Sequence, residues 1–415
     1  MLDLKENNEK NPISQPELVS QIMKYRSNIW KSYLFHLFIG AHLTSGIITI
    51  FFIIWCKLTF VEIMYLQAYF WIMILLFEIP CGAISDYLGR KYSLFLAGIT
   101  TAAGAAIYSI TPHIGMFILA ETLWAFGEAL FSGTNTAIIH DTLKMEGREK
   151  ELDKIVARSI SFLLIGIGIA APIGSLLTLI IPIQFVMMLM SIPFVMGGCV
   201  ALTLKEPKHD LENNVKRSES YISIIKSGMK ELKQKKQLRI LAFDQMIGEG
   251  LIFTVFWTFQ PYLEEFGFLL AYFGFVSTLM IISQLLFVNL VPKLNDKISN
   301  KKRFLFVFTM IPGIGFFLLA VLRLVFCVIL LFMIIVGFGI SRSFIYVNSI
   351  NKHIESNNRA TVLSTISMIG TCIKAIVFPL SGYVVMVSLS GTFIVLGIVM
   401  ILLAIFSQVE IGHLT

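Results

Sequence analysis

Twelve stretches of this chain are long and apolar enough to cross a lipid bilayer, and no other feature restricts its folding as severely. The hydrocarbon core of a bilayer is about 30 Å thick, so a spanning helix needs about 20 largely apolar residues. By that ruler the candidates in the first half run over roughly 33–55, 61–83, 92–111, 115–139, 159–180 and 183–204. Those in the second half run over roughly 240–262, 268–291, 304–322, 325–348, 362–385 and 391–408. Apolar residues are continuous within them rather than alternating, which is the pattern of helices and not of barrel strands. Composition agrees: 56% of the 415 residues are hydrophobic and 14% charged, against about 45–50% and about 25% in soluble domains. A water-soluble globule is excluded, and 35 Phe exclude a disordered chain. The fold class expected is an all-α membrane protein.

Net charge is +7, but its placement argues against nucleic acid as a partner. With residue 1 on the cytoplasmic side, the 33 Lys and Arg all fall in inner segments except Lys57, Arg323, Arg342 and Lys374. Cytoplasmic loops carry such an excess, and a wrong span count would scramble it. Residues 1–32 are then a cytoplasmic segment, 33–204 a first six-helix bundle and 205–239 a cytoplasmic linker. Residues 240–408 form a second bundle and 409–415 a cytoplasmic tail, so both termini are expected inside. The linker has helical spacing of apolar residues near Tyr221 to Leu232 beside lysines. A short helix on the inner leaflet and a solvated linker both suit that pattern. No short apolar signal core precedes the first span, so insertion is expected to rely on the spans themselves. Cys56, Cys81, Cys199, Cys327 and Cys372 lie far apart without ligand or redox spacing, so no metal or cofactor is expected.

Between spans two and three the chain reads Gly82-Ala-Ile-Ser-Asp86-Tyr-Leu-Gly89-Arg90-Lys91. This matches the G-x-x-x-D-x-x-G-R-[KR] signature and, with twelve spans and a mid-chain linker, resembles the major facilitator superfamily. Gly82 suits close helix approach, Asp86 can pair with Arg90 or accept from a helix N-terminus, and Gly89 permits a tight turn. The resemblance implies two six-helix bundles with pseudo-twofold symmetry, and a gate that these residues lock on the cytoplasmic side. A fainter copy, Pro292-Lys-Leu-Asn-Asp296-Lys-Ile-Ser299-Asn300-Lys301, sits between spans eight and nine, as half-to-half repeats do. Glu78-Ile-Pro80, Gly127 to Gly133 with His140-Asp141, Gln260 to Leu263 and Arg359-Ala360-Thr361 resemble a prokaryotic branch near macrolide- and tetracycline-efflux relatives. Two departures count against drug–proton antiport: Glu121 stands where those relatives carry arginine, and Ala171-Pro172-Ile-Gly174-Ser175 is a reduced form of their span-five element.

Ionisable side chains at bilayer depth cost several kcal/mol and usually line a wet cavity. Counting about 1.5 Å per residue, His42, Glu128, Glu249 and Lys374 lie near the midplane, with Glu121 further out and Arg342 further in. Glu121, Trp124, Glu128, Ser132 and Asn135 share one helical face, as do Glu249, Phe253, Phe256 and Gln260, and Ser367, Thr371, Lys374 and Phe378. Polar faces interleaved with aromatics suit a small-molecule site. The proton-coupling candidates are therefore Glu128, Glu249, Glu121 and His42. The cavity candidates are Trp124, Ser132, Asn135, Phe253, Phe256, Gln260, Arg342, Tyr346, Thr371 and Lys374. Glu128 and Glu249 are expected to face Lys374 and Arg342 across the cleft, either as a proton site or as fixed ion pairs. Asp141 and Asp244 fall near inner helix ends, where capping or pairing with loop lysines is expected.

The function expected is secondary active transport of a small organic solute across a prokaryotic cytoplasmic membrane by alternating access, coupled to protons and running as export. The partners are the solute, protons or another coupling ion, and the bilayer, with the protein a monomer. Import of a nutrient or siderophore-like solute, and translocation of a lipid or lipid-linked substrate, remain open. No G-x-x-x-x-G-K-[ST] or H-E-x-x-H motif occurs, so neither ATP hydrolysis nor enzymatic activity is expected.

Overall fold

Among the described residues, eleven helices have the length and hydropathy to cross a membrane: Phe60–Leu88, Arg90–Ile110, Ile114–Met145, Glu149–Leu177, Ile183–Leu202, Lys236–Glu265, Leu270–Val291, Lys301–Val321, Val325–Lys352, Thr361–Val387 and Leu389–Phe406. They coincide with expected spans two to twelve. The computed structural model describes residues 15–206, 221–295, 298, 300–354 and 359–414, and every regular element among them is a helix. Asp296, Lys297 and Ser299 of the fainter repeat lie outside the described residues, as do 1–14 and the linker positions 207–220.

The first span departs from a continuous helix over 33–55. It is built from α1 (Gln15–Ile39) and α2 (Ile48–Ile54), separated by turns through Gly40–Ile47. Two glycines and three polar side chains (His42, Thr44, Ser45) occupy the break, where helix propensity is weak. Packing requires the small residues. A Cβ on Gly40 would lie 2.2 Å from the Leu163 carbonyl oxygen, and one on Gly46 would lie 2.5 Å from the Gly274 Cα. The opened amides at the start of α2 find their acceptor on a distant helix, as described below.

The remaining helices follow in chain order. They are α3 (Phe60–Leu88), α4 (Arg90–Ile110), α5 (Ile114–Met145), α6 (Leu152–Leu177), α7 (Ile183–Leu189) and α8 (Ser191–Leu202). The linker contributes α9 (Tyr221–Gln234), whose Gly228 sits against Thr365. The second half holds α10 (Lys236–Phe253), α11 (Val255–Glu265), α12 (Phe273–Asn295), α13 (Lys301–Val321), α14 (Val325–Lys352), α15 (Arg359–Val387), α16 (Leu389–Phe406) and the short α17 (Ile411–Leu414). Local signals set several starts. Thr59 accepts from the Glu62 amide while Glu62 accepts from Thr59, a reciprocal cap at the head of α3. Asn300 and Ser388 accept from Arg303 and Gly391 at the heads of α13 and α16.

Helices α1–α8 form one bundle and α10–α16 the other, the two-bundle architecture that the motif's resemblance implies. The bundles meet where α3 packs on α15, α6 on α12 and α2 on α11.

Candidate functional site

Side chains of Gln260, Thr49, Ser175, Thr278 and Tyr65 join the two bundles toward the end away from the basic loops. Gln260 of α11, fully buried, reaches into the broken first span. Its Oε1 accepts from the Thr49 amide at 2.7 Å and the Ile50 amide at 3.4 Å, and its Nε2 donates to the Ser45 carbonyl at 3.2 Å. The side chain thus satisfies helix-start donors that have no partner within α2. Thr49 Oγ1 donates to the Trp257 carbonyl at 3.0 Å. Ser175 Oγ donates to the Ala271 carbonyl at 2.8 Å, Thr278 Oγ1 to the Gly168 carbonyl at 2.7 Å, and Tyr65 and Tyr383 hydroxyls lie 3.2 Å apart. Toward the basic loops Ser132, Gly133 and Thr136 of α5 are exposed, and a Cβ on Gly82 or Gly133 would meet open space.

Halfway down, Glu249 of α10 and Lys374 of α15 form an ion pair, Oε1 to Nζ 3.1 Å. The Lys374 ammonium also lies 4.5 Å from the Trp71 ring centre and 5.4 Å from that of Phe253. Phe253 stacks on Phe378 at 6.1 Å and leans on Phe256 at 5.5 Å. Thr371 bonds back to the Ser367 carbonyl at 3.1 Å. A second ion pair lies toward the basic end of α10. Arg342 of α14 donates to Asp244 Oδ1 at 2.6 Å, Tyr346 donates to the same oxygen, and Ser407 donates to Oδ2 at 2.7 Å. The guanidinium fills a notch where a Cβ on Gly248 would lie 1.2 Å from its Nη1. The cross-cleft pairing expected for Lys374 and Arg342 is therefore replaced by pairs inside the second bundle. Asp244, expected to meet loop lysines, is instead the partner of Arg342.

The first bundle differs. Half-buried Glu128 has no hydrogen-bond or ion-pair partner among the described residues. Glu121 is buried and accepts from Tyr108 at 2.6 Å and Gln67 at 3.0 Å, so it points into the bundle. His42, in the break of the first span, packs its ring against Trp124 at 5.7 Å and Phe194 at 5.2 Å. Asn135 is buried, accepting from Ser32 at 3.1 Å and lying 3.0 Å from the His36 ring. Of the α5 face read from spacing, only Ser132 is exposed, because a 32-residue helix passes several different neighbours.

At the basic end Gly89 joins α3 to α4 with φ of 93°, which a side chain would strain. The Arg90 amide that opens α4 donates to Glu206, whose carboxylate occupies the space a Cβ on Gly89 would take. The Arg90 guanidinium pairs with Asp141 and donates to the Ala137 carbonyl at 2.6 Å. Asp86 is exposed and Lys91 lies over its neighbour Tyr92 at 4.7 Å. Sequence reasoning missed Glu206, Trp71, Gln67, Tyr108 and His36 as partners. A lone polar residue inside an apolar run marks Gln67 and His36, whereas nothing local marks Trp71 or Glu206.

Three comparisons bear on this architecture. The profile of the Major Facilitator Superfamily matches residues 34–351. A relative described as an uncharacterized MFS-type transporter, YxaM of Bacillus subtilis (strain 168), is 24% identical over 227 residues, covering 54% of this chain and 56% of that protein. The chain thus spans about half the length of the curated relative it matches. Among solved structures, a point mutant of the nucleoside transporter NupG superposes with a TM-score of 0.75 at 15% identity, covering 92% of this chain and 98% of that one. A bacterial homologue of the human lysosomal transporter Spinster, described as inward-facing and occupied, gives 0.73 at 14% identity over 94% and 98%. A D-xylose–proton symporter gives 0.71 at 14% over 92% and 97%. At these identities the structural likeness speaks to fold alone.

Proposed function

This chain belongs to the Major Facilitator Superfamily, and on that premise we propose that it is a secondary transporter of a small organic solute. It works as a monomer by alternating access in a prokaryotic cytoplasmic membrane. The bundles are 33–204 and 240–408, joined by a cytoplasmic linker over 205–239, with both termini cytoplasmic. The observation that carries the reading is the asymmetry of the interface. Hydrogen bonds through Gln260, Thr49, Ser175 and Thr278 join the bundles at one end, while Ser132, Gly133 and Thr136 are exposed and Gly82 is uncovered toward the other end of the interface. Charged side chains stand halfway along it, as a two-sided carrier requires. The state described is then inward-open. Exposed Asp86 and uncovered Gly82 are gate residues that close against the second bundle in the opposite state. Transport is coupled to protons through Glu128 and Glu249, and runs as export on the strength of the branch resemblance.

Spin labels test this without a known substrate. In a cysteine-free background, one label pair replaces Tyr65 and Tyr383 and another replaces Tyr87 and Ser367. Each pair is expected to show two distances, the far end lengthening as the basic end shortens. A single unchanging distance in both pairs between pH 5 and pH 8 removes alternating access. Glu128→Gln and Glu249→Gln are expected to change the pH at which the populations exchange. If neither does, proton coupling at these carboxylates is removed.

A further inference from the structure

The surroundings of Lys374 have the chemistry of a receptor already occupied by its own ligand. The ammonium meets a carboxylate at 3.1 Å on one side and the rings of Trp71 and Phe253 at 4.5 and 5.4 Å on others. A carboxylate flanked by aromatic faces recognises a positively charged nitrogen. The rings do not depend on Lys374 for their positions. Trp71 meets Phe253 edge-on at 6.2 Å, and Phe253 stacks on Phe378. The cage is also shared between bundles, since Trp71 belongs to α3 and the other groups to α10 and α15.

The sign of the ligand follows from what the cleft presents. The Glu249 side chain is 37% exposed and that of Lys374 14%, so an entering solute meets the carboxylate first. Glu128 adds a second, unpaired carboxylate at half-burial, while Arg342 is only 1% exposed and held by Asp244. The Glu249 carboxylate, the more exposed member of its pair, is therefore the charge this site offers, and it suits a cation. Lys374 has a flexible four-carbon stem, so its charge can withdraw while its backbone stays in place.

We propose that the transported solute is an organic cation, whose charged nitrogen displaces the Lys374 ammonium from Glu249 between Trp71 and Phe253. Lys374 is a tethered substitute that keeps the cage filled in the empty carrier. This rests on the transport reading above and names the substrate class of its site.

The test uses two single-ring probes of similar shape and opposite charge, benzyltrimethylammonium and phenylmethanesulfonate. Each is titrated against thermal unfolding of the full-length protein in detergent, where a bound ligand raises the midpoint. Benzyltrimethylammonium is expected to stabilise the wild type. Removing the internal competitor in Lys374→Ala lowers the concentration needed by about tenfold, and Trp71→Leu in that background raises it again by a similar factor. Glu249→Gln is expected to abolish the response. A sulfonate response in the wild type that disappears in Lys374→Ala overturns the assignment in favour of an anionic solute. No response to either probe in the wild type, which needs no variant to fold, overturns it as well. Neither result touches alternating access, which the spin-label distances decide separately.

Discussion

Apart from the Arg90–Asp141 pair at its basic end, the first bundle satisfies its buried polar groups differently from the second. In the first, charge-free partners do the work: Glu121 accepts from Tyr108 and Gln67, Asn135 accepts from Ser32 and turns its amide nitrogen to the His36 ring, and Asn28 donates to Thr142 at 3.1 Å. In the second, charge meets charge, Asp244 with Arg342 and Glu249 with Lys374. Neutral donors satisfy a buried acceptor without a matching countercharge and hold its geometry firmly. An ion pair is attractive only while both partners are present, and exposes an uncompensated charge when they part. On the proposed transport reading, the first bundle acts as a rigid wall that presents half-buried Glu128, unpaired among the described residues, and the second carries the charges that can exchange partners.

The sharpest way to break this contrast is to remove one charge from the deep pair. Asp244→Ala leaves Arg342 buried and unpaired, and unfolding of the purified protein should show a loss of about 3–5 kcal/mol. Pairing Asp244→Leu with Arg342→Met should recover most of it, because a well-packed apolar pair of similar volume is often neutral. A smaller loss belongs to the first bundle. Glu121→Leu strands the Tyr108 hydroxyl and the Gln67 amide at about 1–3 kcal/mol in the same unfolding measurement, while Glu121→Gln, which still accepts, costs less. Equal losses for Asp244→Ala and Glu121→Leu would erase the difference between bundles. The smallest effect is expected outside the membrane, where Arg148 bonds Glu146 at 2.6 Å and Glu151 at 2.8 Å. Those two carboxylates raise the guanidinium pKa above its usual value. Arg148 and Glu151 are 36% and 40% exposed, so losing their pair in Glu151→Ala should cost no more than about 1 kcal/mol by the same measurement.

The break in the first span shows where reading from sequence reached and where it stopped. Gly40, His42, Thr44, Ser45 and Gly46 interrupt the apolar run, yet total hydropathy over 33–55 still predicts a crossing. A continuous helix would keep the Thr49 and Ile50 amides within the first span. The break is tolerated because Gln260, 211 residues from Thr49, supplies their acceptor. The gate motif divides similarly. Gly89 and Arg90 are recognisable as a tight turn and a basic loop, but Arg90 takes Asp141 and Glu206 as partners from 51 and 116 residues away. Its proposed lock on the second bundle is not engaged in this state.

By itself the sequence determined that the chain lives in a membrane, how its apolar runs are spaced and which family its loop motif resembles. Each of these is a sum over neighbouring residues, and solvation by lipid acts residue by residue. Tertiary structure alone decided which buried charges meet, which polar groups are held by neutral donors and where hydrogen bonds join the bundles. Those outcomes depend on distances of a few ångströms between helices far apart along the chain, and neither hydropathy nor helical periodicity encodes them.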